Sequence, residues 1–269
     1  MKERTAAKRA FVTGASAGIG LAFAHVLAEH GYDLILTARR QDRLELLAQE
    51  LRTRYTVDAV VVADDLAQPE APARLCAALA QRSLTVDLLV NNAGFGVPGS
   101  YAGTSWEQQR NFLQVLVGAP AELSHRLVPG MIERGWGRVI NVASLAGLLP
   151  GVAGHTLYAA SKSFVISFSE SLALETAKYG VHVTASCPGF TLTEFHDVTG
   201  TRAQVSTMPA FMWLDAESVA RGSYAAVMAG VPVYVPGRLN RSIASLARLL
   251  PRRVVSGLMK RNAGKFRRV

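Results

Sequence analysis

The sequence alternates between short β-rich runs and helical patterns, and this alternation is the feature that most constrains the fold. Buried parallel strands are continuous Val, Ile and Leu runs, and the alternation implies right-handed crossovers that place helices on both faces of one sheet. The helical patterns cover residues 19–30, 41–54, 69–82, 106–134, 156–179 and 215–229. The β-rich runs are AFVTG, YDLILTAR, DAVVVAD, VDLLVNNAG, GRVINVAS, VHVTASCPG and VPVYVPG. The sequence therefore predicts an α/β fold, a three-layer doubly wound parallel sheet in a single domain over residues 1–237.

Residues 238–269 differ from the rest of the chain in charge. The protein carries a net charge of +9, and this stretch alone contributes ten Lys or Arg and no acid. Its apolar residues recur at helical spacing from Ile243 to Leu250 until Pro251 interrupts them, which predicts a basic, partly helical C-terminal extension. Such a helix suits peripheral contact with an anionic membrane, or packing on the domain or on an oligomer partner. No nucleic-acid partner is expected, because no aromatics beyond Phe266 interleave the basic residues.

The location and the cysteines restrict the class of protein further. No apolar run approaches the ~18 residues of a membrane span, and the N-terminus lacks the apolar core of a signal peptide. We therefore expect a cytoplasmic protein. Cys76 and Cys187 lie far apart in the sequence, so we expect two small core residues and no metal site.

A glycine-rich turn joins the first β-rich run to the first helix. In TGASAGIG, Gly14, Gly18 and Gly20 allow a tight turn and close approach of the backbone to a pyrophosphate at the helix N-terminus. The turn therefore predicts a Rossmann-like dinucleotide site. After the second strand, Arg39 and Arg40 follow where an acidic residue would bind a free ribose 2′-hydroxyl. The arginine pair favours the 2′-phosphate of NADP(H), the alternative being a solvated pair at the start of a helix.

Three side chains of the central part of the sequence suggest acid catalysis. Tyr158 and Lys162 stand four residues apart, on one face of a helix. A tyrosine is a poor acid at neutral pH, but a nearby ammonium favours the phenolate and lowers the pKa of the phenol. Ser144 ends the β-rich run GRVINVAS at the carboxyl edge of the sheet, where its hydroxyl can bond a substrate oxygen as charge develops on it.

Together these motifs resemble the short-chain dehydrogenase/reductase family, in its short, single-domain, NADP-preferring branch. The glycine turn, NNAG at 91–94, Ser144, Tyr158, Lys162 and PGFTLT at 188–193 follow the order and approximate spacing of that family, over roughly residues 10–237. The resemblance implies Ser144, Tyr158 and Lys162 as catalytic residues. It implies as cofactor-binding residues Gly14, Ser16, Gly18, Ile19, Gly20, Arg39, Arg40, Asp65, Asn91, Ala93, Gly94, Tyr158, Lys162, Pro188, Gly189, Thr191 and Thr193.

The resemblance also implies individual roles and a reaction. Thr13 and Asn91 would support the turn, Asp65 would contact the adenine, and Asn91, Ala93 and Gly94 would wall the adenine ribose. Lys162 would hold the nicotinamide ribose and tune Tyr158. The implied reaction is hydride transfer between NADP(H) and a carbonyl or alcohol carbon, with Tyr158 as acid or base and Ser144 holding the oxygen. The family resemblance further implies a homo-oligomer, a dimer or a tetramer.

The segments that follow the strands are apolar, which predicts an apolar ketone, aldehyde or secondary alcohol as substrate rather than a polyol or a sugar phosphate. These candidate pocket residues are Phe95, Val97, Leu145, Leu148, Leu149, Val152, Phe190, Phe195, Met208, Phe211, Met212 and Trp213.

One position departs from the family pattern. Ungapped matching backwards from LVPGM at 127–131 places Leu116 where relatives carry an asparagine that helps hold a water chain to Lys162. On a regular helix, Asn111 and Gln114 would lie roughly 140° and 160° around the axis from Leu116, so neither should replace it. Two interpretations follow: an enzyme whose proton relay runs through water on backbone carbonyls, or an NADP(H)-binding sensor or scaffold with weak or no catalysis. The presence of Ser144, Tyr158 and Lys162 favours the enzyme.

Overall fold

The fold is a seven-stranded, fully parallel sheet with strand order β3-β2-β1-β4-β5-β6-β7. A computed structural model describes residues 8–97, 99–151, 156–194, 209–251 and 253–257. The strands are β1 (Arg9–Thr13), β2 (Asp33–Thr37), β3 (Ala59–Val61), β4 (Leu88–Asn91), β5 (Gly137–Val142), β6 (Val181–Ser186) and β7 (Val233–Tyr234). The doubly wound Rossmann-like prediction is confirmed.

Residues 253–257 form a short helical stretch near the end of the described chain, and eight longer α-helices connect or follow the strands. They are α1 (Gly18–Glu29), α2 (Gln41–Tyr55), α3 (Ala71–Gln81), α4 (Trp106–Leu113), α5 (Ala119–Glu133), α6 (Thr156–Thr176), α7 (Ala216–Met228) and α8 (Arg238–Leu249). Two helical segments end where the patterns over residues 19–30 and 156–179 end, because Gly31 and Gly180, which follow them, adopt left-handed φ angles of 78° and 74°.

Two apolar layers enclose the sheet, because successive strand residues point to opposite faces. On one face, Val12 and Leu36 pack with α1, α2 and the α7 residue Val227. On the other, Phe11 and Ile35 pack with residues of α3, α4 and α5. No described helix is long and apolar enough to cross a membrane.

The segment predicted as one helix over residues 106–134 contains an irregular turn. Ser105 and Gln108 form a capping box at the start of α4. A π-helical turn, Gln114–Gly118, then separates α4 from α5. A π turn inserts a residue, so the regular spacing of 100° per residue does not hold across it.

The strand order reverses between β1 and β4, which are neighbours although β2 and β3 intervene in sequence. In open α/β sheets the carboxyl ends of the strands at such a reversal leave a crevice for ligands. This position places the glycine turn after β1 beside the segments that follow β4 and β5.

Candidate active site

A cleft of about 760 Å³ opens at this reversal of the strand order. The predicted catalytic residues Ser144, Tyr158 and Lys162 all line it. So do the predicted cofactor-binding residues Gly14, Ser16, Gly18, Ile19, Arg39, Arg40, Asp65, Ala93, Gly94, Pro188, Gly189, Thr191 and Thr193. Gly20 and Asn91 are the two predicted site residues that do not line the cleft.

The glycine turn has the shape of a phosphate cradle. Gly14 and Gly18 adopt φ angles of 66° and 56°, which favour glycine. Gly20 lies behind the turn, where a Cβ would collide with the carbonyl oxygen of Gly14. Ala17 is the residue that precedes α1, and its methyl group cannot accept a hydrogen bond from the helix. The first backbone amides of α1 can therefore donate to another acceptor.

The turn is supported by Thr13, as predicted, and by Asn92. Asn92 Nδ2 donates to the carbonyl oxygen of Thr13 at 2.9 Å and to that of Gly14 at 3.3 Å. Thr13 Oγ1 accepts from the amides of Asn92 and Ala93 at 2.9 and 3.0 Å. These bonds join the end of β1 to the segment after β4, the two edges of the crevice.

Asn91 does not form the wall predicted beside the adenine ribose. Its side chain turns beneath the cleft, where Nδ2 donates to Asn141 Oδ1 at 2.8 Å and to Ser124 Oγ at 3.2 Å. Asn92 lines the cleft instead. Sequence pattern could not separate the two neighbours, because the strand ends at Asn91 and the chain then leaves the regular alternation of faces.

The arginine end of the cleft holds a compact polar group. Arg40 contacts Ser16 Oγ through Nε at 3.3 Å and Nη2 at 3.1 Å. Arg40 Nη1 also contacts Glu194 Oε2 at 3.1 Å, and Arg43 Nη1 contacts Glu194 Oε1 at 3.0 Å. Hydrogen bonds from Arg43 and Arg40 lower the pKa of the Glu194 carboxyl. Arg40 therefore has defined polar partners, while both Arg39 and Arg40 are exposed, as the alternative of a solvated pair also expects.

Glu194 was not expected at this end of the cleft. It follows β6, whereas Arg40 and Arg43 stand at the start of α2. One residue earlier, Thr193 lies so close to the turn that a Cβ added at Gly18 would come 3.1 Å from Thr193 Cβ. The segment after β6 thus crosses the cleft and meets both the glycine turn and the arginines.

Lys162 is buried beside the predicted acid. Only 7% of its surface is exposed, and Nζ donates to the carbonyl oxygen of Val142 at 2.8 Å. Nζ lies 5.9 Å from the centre of the Tyr158 ring. Burial lowers the pKa of the Lys162 ammonium to about 8. At neutral pH the group remains mostly charged, yet its pKa is close enough to neutrality to exchange a proton readily.

Ser144 is positioned by a short 3₁₀ helix, Leu145–Leu148, that it begins. Its Oγ accepts a hydrogen bond from the amide of Ala146 at 3.2 Å. A Cβ added at Gly147 would lie 2.6 Å from the carbonyl carbon of Lys162, so the 3₁₀ helix packs directly on α6. This close approach fixes the serine relative to the helix that carries Tyr158 and Lys162.

The predicted cysteines behave as core residues. Among the described residues both are free thiols, and Cys187 is fully buried near Lys162. Burial raises the pKa of the Cys187 thiol to about 12, so it adds no negative charge beside the ammonium. No group of His, Cys, Asp and Glu in the described ranges could hold a metal ion.

The opposite end of the cleft is mostly apolar. Six of the twelve predicted pocket residues line it, namely Phe95, Val97, Leu145, Leu149, Phe190 and Met212. Trp213 instead packs on Phe190, with ring centres 5.7 Å apart, while Leu148 packs in the core and Phe211 is exposed. Val152, Phe195 and Met208 lie outside the described residues. Two residues of α8 that the sequence did not suggest, Asn240 and Ile243, complete this end.

Leu116 lies in the π turn, and its side chain faces the cleft. A Cβ added at Gly94 would lie 3.9 Å from Leu116 Cδ1. Asn111 also lines the cleft, so the expectation that it would face away is wrong. The expectation assumed a regular spacing of 100° per residue from Asn111 to Leu116, and the π turn interrupts that spacing.

Pro120 changes the hydrogen bonding of the same turn. The regular donor to the Leu116 carbonyl would be the amide of residue 120, and proline has no N–H. The Leu116 carbonyl therefore lacks its α-helical partner.

Most of the chain, including the glycine turn, Ser144, Tyr158 and Lys162, lies within the match to a known protein family. Residues 8–203 match the family model described as short chain dehydrogenase. The chain belongs to the short-chain dehydrogenase/reductase family. It is accordingly an oxidoreductase of a family that acts on alcohols and carbonyl compounds with a nicotinamide cofactor. The matched residues end before α7 and α8, so the helix that closes the apolar end of the cleft lies beyond them.

Individual members of the family show the extent of the likeness. The chain is 37% identical over 187 residues to sulfoacetaldehyde reductase of Chromohalobacter salexigens, which covers 69% of this chain and 73% of that protein. A short-chain dehydrogenase from Sphingobium yanoikuyae in complex with NADPH superposes with a TM-score of 0.79 at 26% identity, over 91% of this chain and 96% of that one. The bulky-bulky ketone specific alcohol dehydrogenase from Comamonas testosteroni gives a TM-score of 0.77 at 26% identity, over 95% and 94% of the two chains.

Proposed function

We propose that the protein is an NADP(H)-dependent oxidoreductase that interconverts apolar ketones or aldehydes and their alcohols. The observation that carries this proposal is a single cleft that joins an arginine-bearing phosphate cradle to Tyr158 and the buried Lys162. When bound, NADP(H) supplies the hydride donor or acceptor. The protein supplies the proton, the orientation and the exclusion of water.

The preference for NADP(H) rests on the arginine end of the cleft. Arg40, braced by Ser16, can form charge-assisted hydrogen bonds to a 2′-phosphate. Arg39 lines the same wall. No acidic residue occupies the end of β2, where a free ribose hydroxyl would be bound. The NADPH complex of the Sphingobium yanoikuyae protein supports the same assignment.

The proton chemistry is assigned to residues at the junction of the two ends. Tyr158 would protonate the alkoxide as a ketone is reduced, and Ser144 would hold and polarise the oxygen. The Lys162 ammonium would stabilise the phenolate left on Tyr158 and hold the nicotinamide ribose. A proton would then return to Lys162 through water bound to backbone carbonyls.

The substrate proposal rests on the apolar walls that Phe95, Val97, Leu149, Phe190 and Met212 provide. A sugar phosphate would place most of its charge and hydroxyls against these apolar side chains, where polar partners are few. A ketone with large apolar substituents fits instead, in keeping with the bulky ketones that the Comamonas testosteroni enzyme accepts.

A homo-oligomer, dimeric or tetrameric, and a cytoplasmic location are part of the proposal. Exposed apolar side chains on α4 and α6, Trp106, Phe164 and Leu174, support a second copy packing there. The predicted boundary between the 1–237 domain and the 238–269 extension is retained, with α8 as the part of the extension that packs on the domain.

The direct test is NADPH oxidation with a panel of apolar ketones and aldehydes, repeated with NADH. We expect turnover of bulky apolar carbonyl compounds with NADPH and weaker use of NADH. A sugar phosphate serves as the matched negative substrate. Tight NADPH binding without turnover of any compound would instead support the sensor or scaffold function.

Glu194 should act as a competitor for the arginines. In the Glu194→Gln variant the carboxylate no longer holds Arg40 and Arg43, so we expect the KM for NADPH to fall by about two- to fivefold, the range of a half-exposed ion pair. The KM for NADH should change less, because NADH carries no 2′-phosphate. Steady-state kinetics with both cofactors measure this, with Glu217→Gln on α7 as the control. A higher KM for NADPH would show that Glu194 orients the arginines rather than competing for them.

Leu116→Asn should raise turnover if the missing amide limits proton supply. We expect kcat to rise by up to about tenfold, which is less than the roughly 10²- to 10⁴-fold that a positioned acid or base contributes in full. The Leu116→Ala variant removes the same apolar contacts without adding an amide, and thermal unfolding of both variants accounts for the loss of packing. An unchanged kcat in Leu116→Asn would mean that another route already serves Lys162.

A further inference from the structure

Helix α8 presents two different faces, one to the cleft and one to the surface. On the inner face Asn240 and Ile243 line the cleft, and Asn240 Nδ2 donates to the carbonyl oxygen of Pro236 at 2.9 Å. A Cβ added at Gly189 would lie 2.7 Å from the Asn240 amide atoms. The helix is therefore seated firmly on the segment that follows β6.

The outer face of α8 combines apolar and basic side chains. Leu239, Leu246 and Leu249 are 38%, 54% and 82% exposed. At ~100° per residue they form one stripe along the helix, and Arg238, Arg241 and Arg248 are grouped beside it. All three arginines are exposed. We call this set of six side chains the α8 outer face.

The charge of this face restricts what can cover it. Residues 238–269 contain ten Lys or Arg and no acid. A two-fold contact with a second copy would place the same basic face on itself, with like charges opposed. A neutral apolar partner would remove the arginines from water without giving them counter-charges. An anionic lipid surface satisfies both groups, because leucines enter the acyl boundary while arginines meet headgroups.

We propose that the α8 outer face docks this protein on anionic lipid bilayers. The face requires no membrane-spanning segment, since an interfacial helix lies in the plane of the headgroups. A single such helix gives reversible attachment whose strength depends on the fraction of anionic lipid. The further basic residues after α8 add to the same attraction.

The docked face adjoins the apolar end of the cleft. Ile243, which lines the cleft, lies only about 40° to 60° around the helix from Leu239 and Leu246. A bilayer that covers those leucines is therefore next to the wall formed by Ile243. Resting on the function proposed above, this placement suits apolar carbonyl substrates that partition into the membrane and enter the cleft from it.

Co-sedimentation of the full-length protein with vesicles tests the docking directly. We expect binding to phosphatidylglycerol vesicles, little binding to phosphatidylcholine vesicles, and release as salt screens the charges. Leu246→Ser/Leu249→Ser and Arg241→Gln/Arg248→Gln should each weaken binding by roughly tenfold or more. Leu46→Ser, which alters an exposed leucine of α2, should bind as the wild type does.

Several results would overturn the docking proposal. Equal binding to both lipids would show that charge does not determine vesicle binding. Unchanged binding of both α8 variants would show that the α8 outer face does not contact the lipid. A change of oligomeric state in Leu246→Ser/Leu249→Ser without lipid, measured by analytical ultracentrifugation, would assign the face to a second copy. Wild-type binding and its salt dependence stand even if a variant folds poorly.

A water-soluble ketone separates docking from catalysis. Its reduction should proceed equally in the wild type and both α8 variants, whereas reduction of a vesicle-dissolved ketone should fall in the variants. Loss of vesicle binding with normal reduction of the soluble ketone supports docking and the enzyme together. Vesicle binding with no reduction of any ketone would overturn the proposed function and leave the docking intact. Equal reduction of the vesicle-dissolved ketone by all proteins would overturn delivery from the membrane.

Discussion

Tyr158→Phe should lower kcat for ketone reduction by about 10²- to 10⁴-fold, the contribution of a positioned acid. The ring, which packs against the core below the cleft, is retained, and only the hydroxyl is lost. NADPH affinity should remain within about twofold of the wild type, because in the proposed assignment the glycine turn and the arginine end make most of the contacts with this cofactor. Stopped-flow reduction measures the first quantity, and fluorescence titration with NADPH measures the second.

The matched control is Tyr179→Phe, which alters a half-exposed tyrosine just after α6 and outside the cleft lining. Its turnover should equal that of the wild type. Full turnover in Tyr158→Phe would show that another group donates the proton. Loss of NADPH binding in that variant would show that the phenol acts on the cofactor rather than on the substrate.

Arg40→Ala should raise the KM for NADPH by about 10- to 100-fold, since hydrogen bonds to charged groups contribute ~1.5–3 kcal/mol each. The KM for NADH should stay nearly constant, so the cofactor preference should collapse or reverse. Arg39→Ala should act in the same direction. Parallel kinetics with the two cofactors provide the measurement.

Arg54→Ala is the control for removal of an arginine from the same helix, because Arg54 pairs with Glu50 at the far end of α2. It should leave both KM values unchanged. Equal losses with NADPH and NADH in Arg40→Ala would mean that Arg40 supports the fold of the cleft and does not read the 2′-phosphate. That result would leave the preference between NADPH and NADH undecided.

The fold could be predicted from sequence because its determinants are local. The run RAFVT and the turn that follows it carry their own strand, glycine and helix signals, and they fall where expected as β1 and α1. The Tyr158 and Lys162 pair is equally local, since four residues of a regular helix fix their common face.

The failures of prediction occur where regular geometry ends or where distant segments meet. Asn111 was assigned the wrong side because a π turn separates it from Leu116. Glu194 reaches Arg40 across 154 positions of sequence, and no pattern announces such a contact. Asn240 and Ile243 enter the cleft only because α8 folds back over the segment after β6. Asn91, the last residue of β4, turns beneath the cleft, whereas its neighbour Asn92 lines the cleft. The sequence pattern does not show this difference.

Two polar contacts beneath the cleft hold α6, the helix that carries Tyr158 and Lys162, against the sheet. Lys162 Nζ bonds the Val142 carbonyl, and two turns further along α6 Ser169 Oγ accepts from Asn141 Nδ2 at 2.9 Å. Lys162 and Ser169 lie within about 20° of each other around α6, so a rotation of the helix or a shift by one residue would break both contacts together. The apolar residues that pack around α6 can therefore be substituted while Tyr158 keeps its position. The range of substrates can therefore change in this fold without a change in the position of Tyr158.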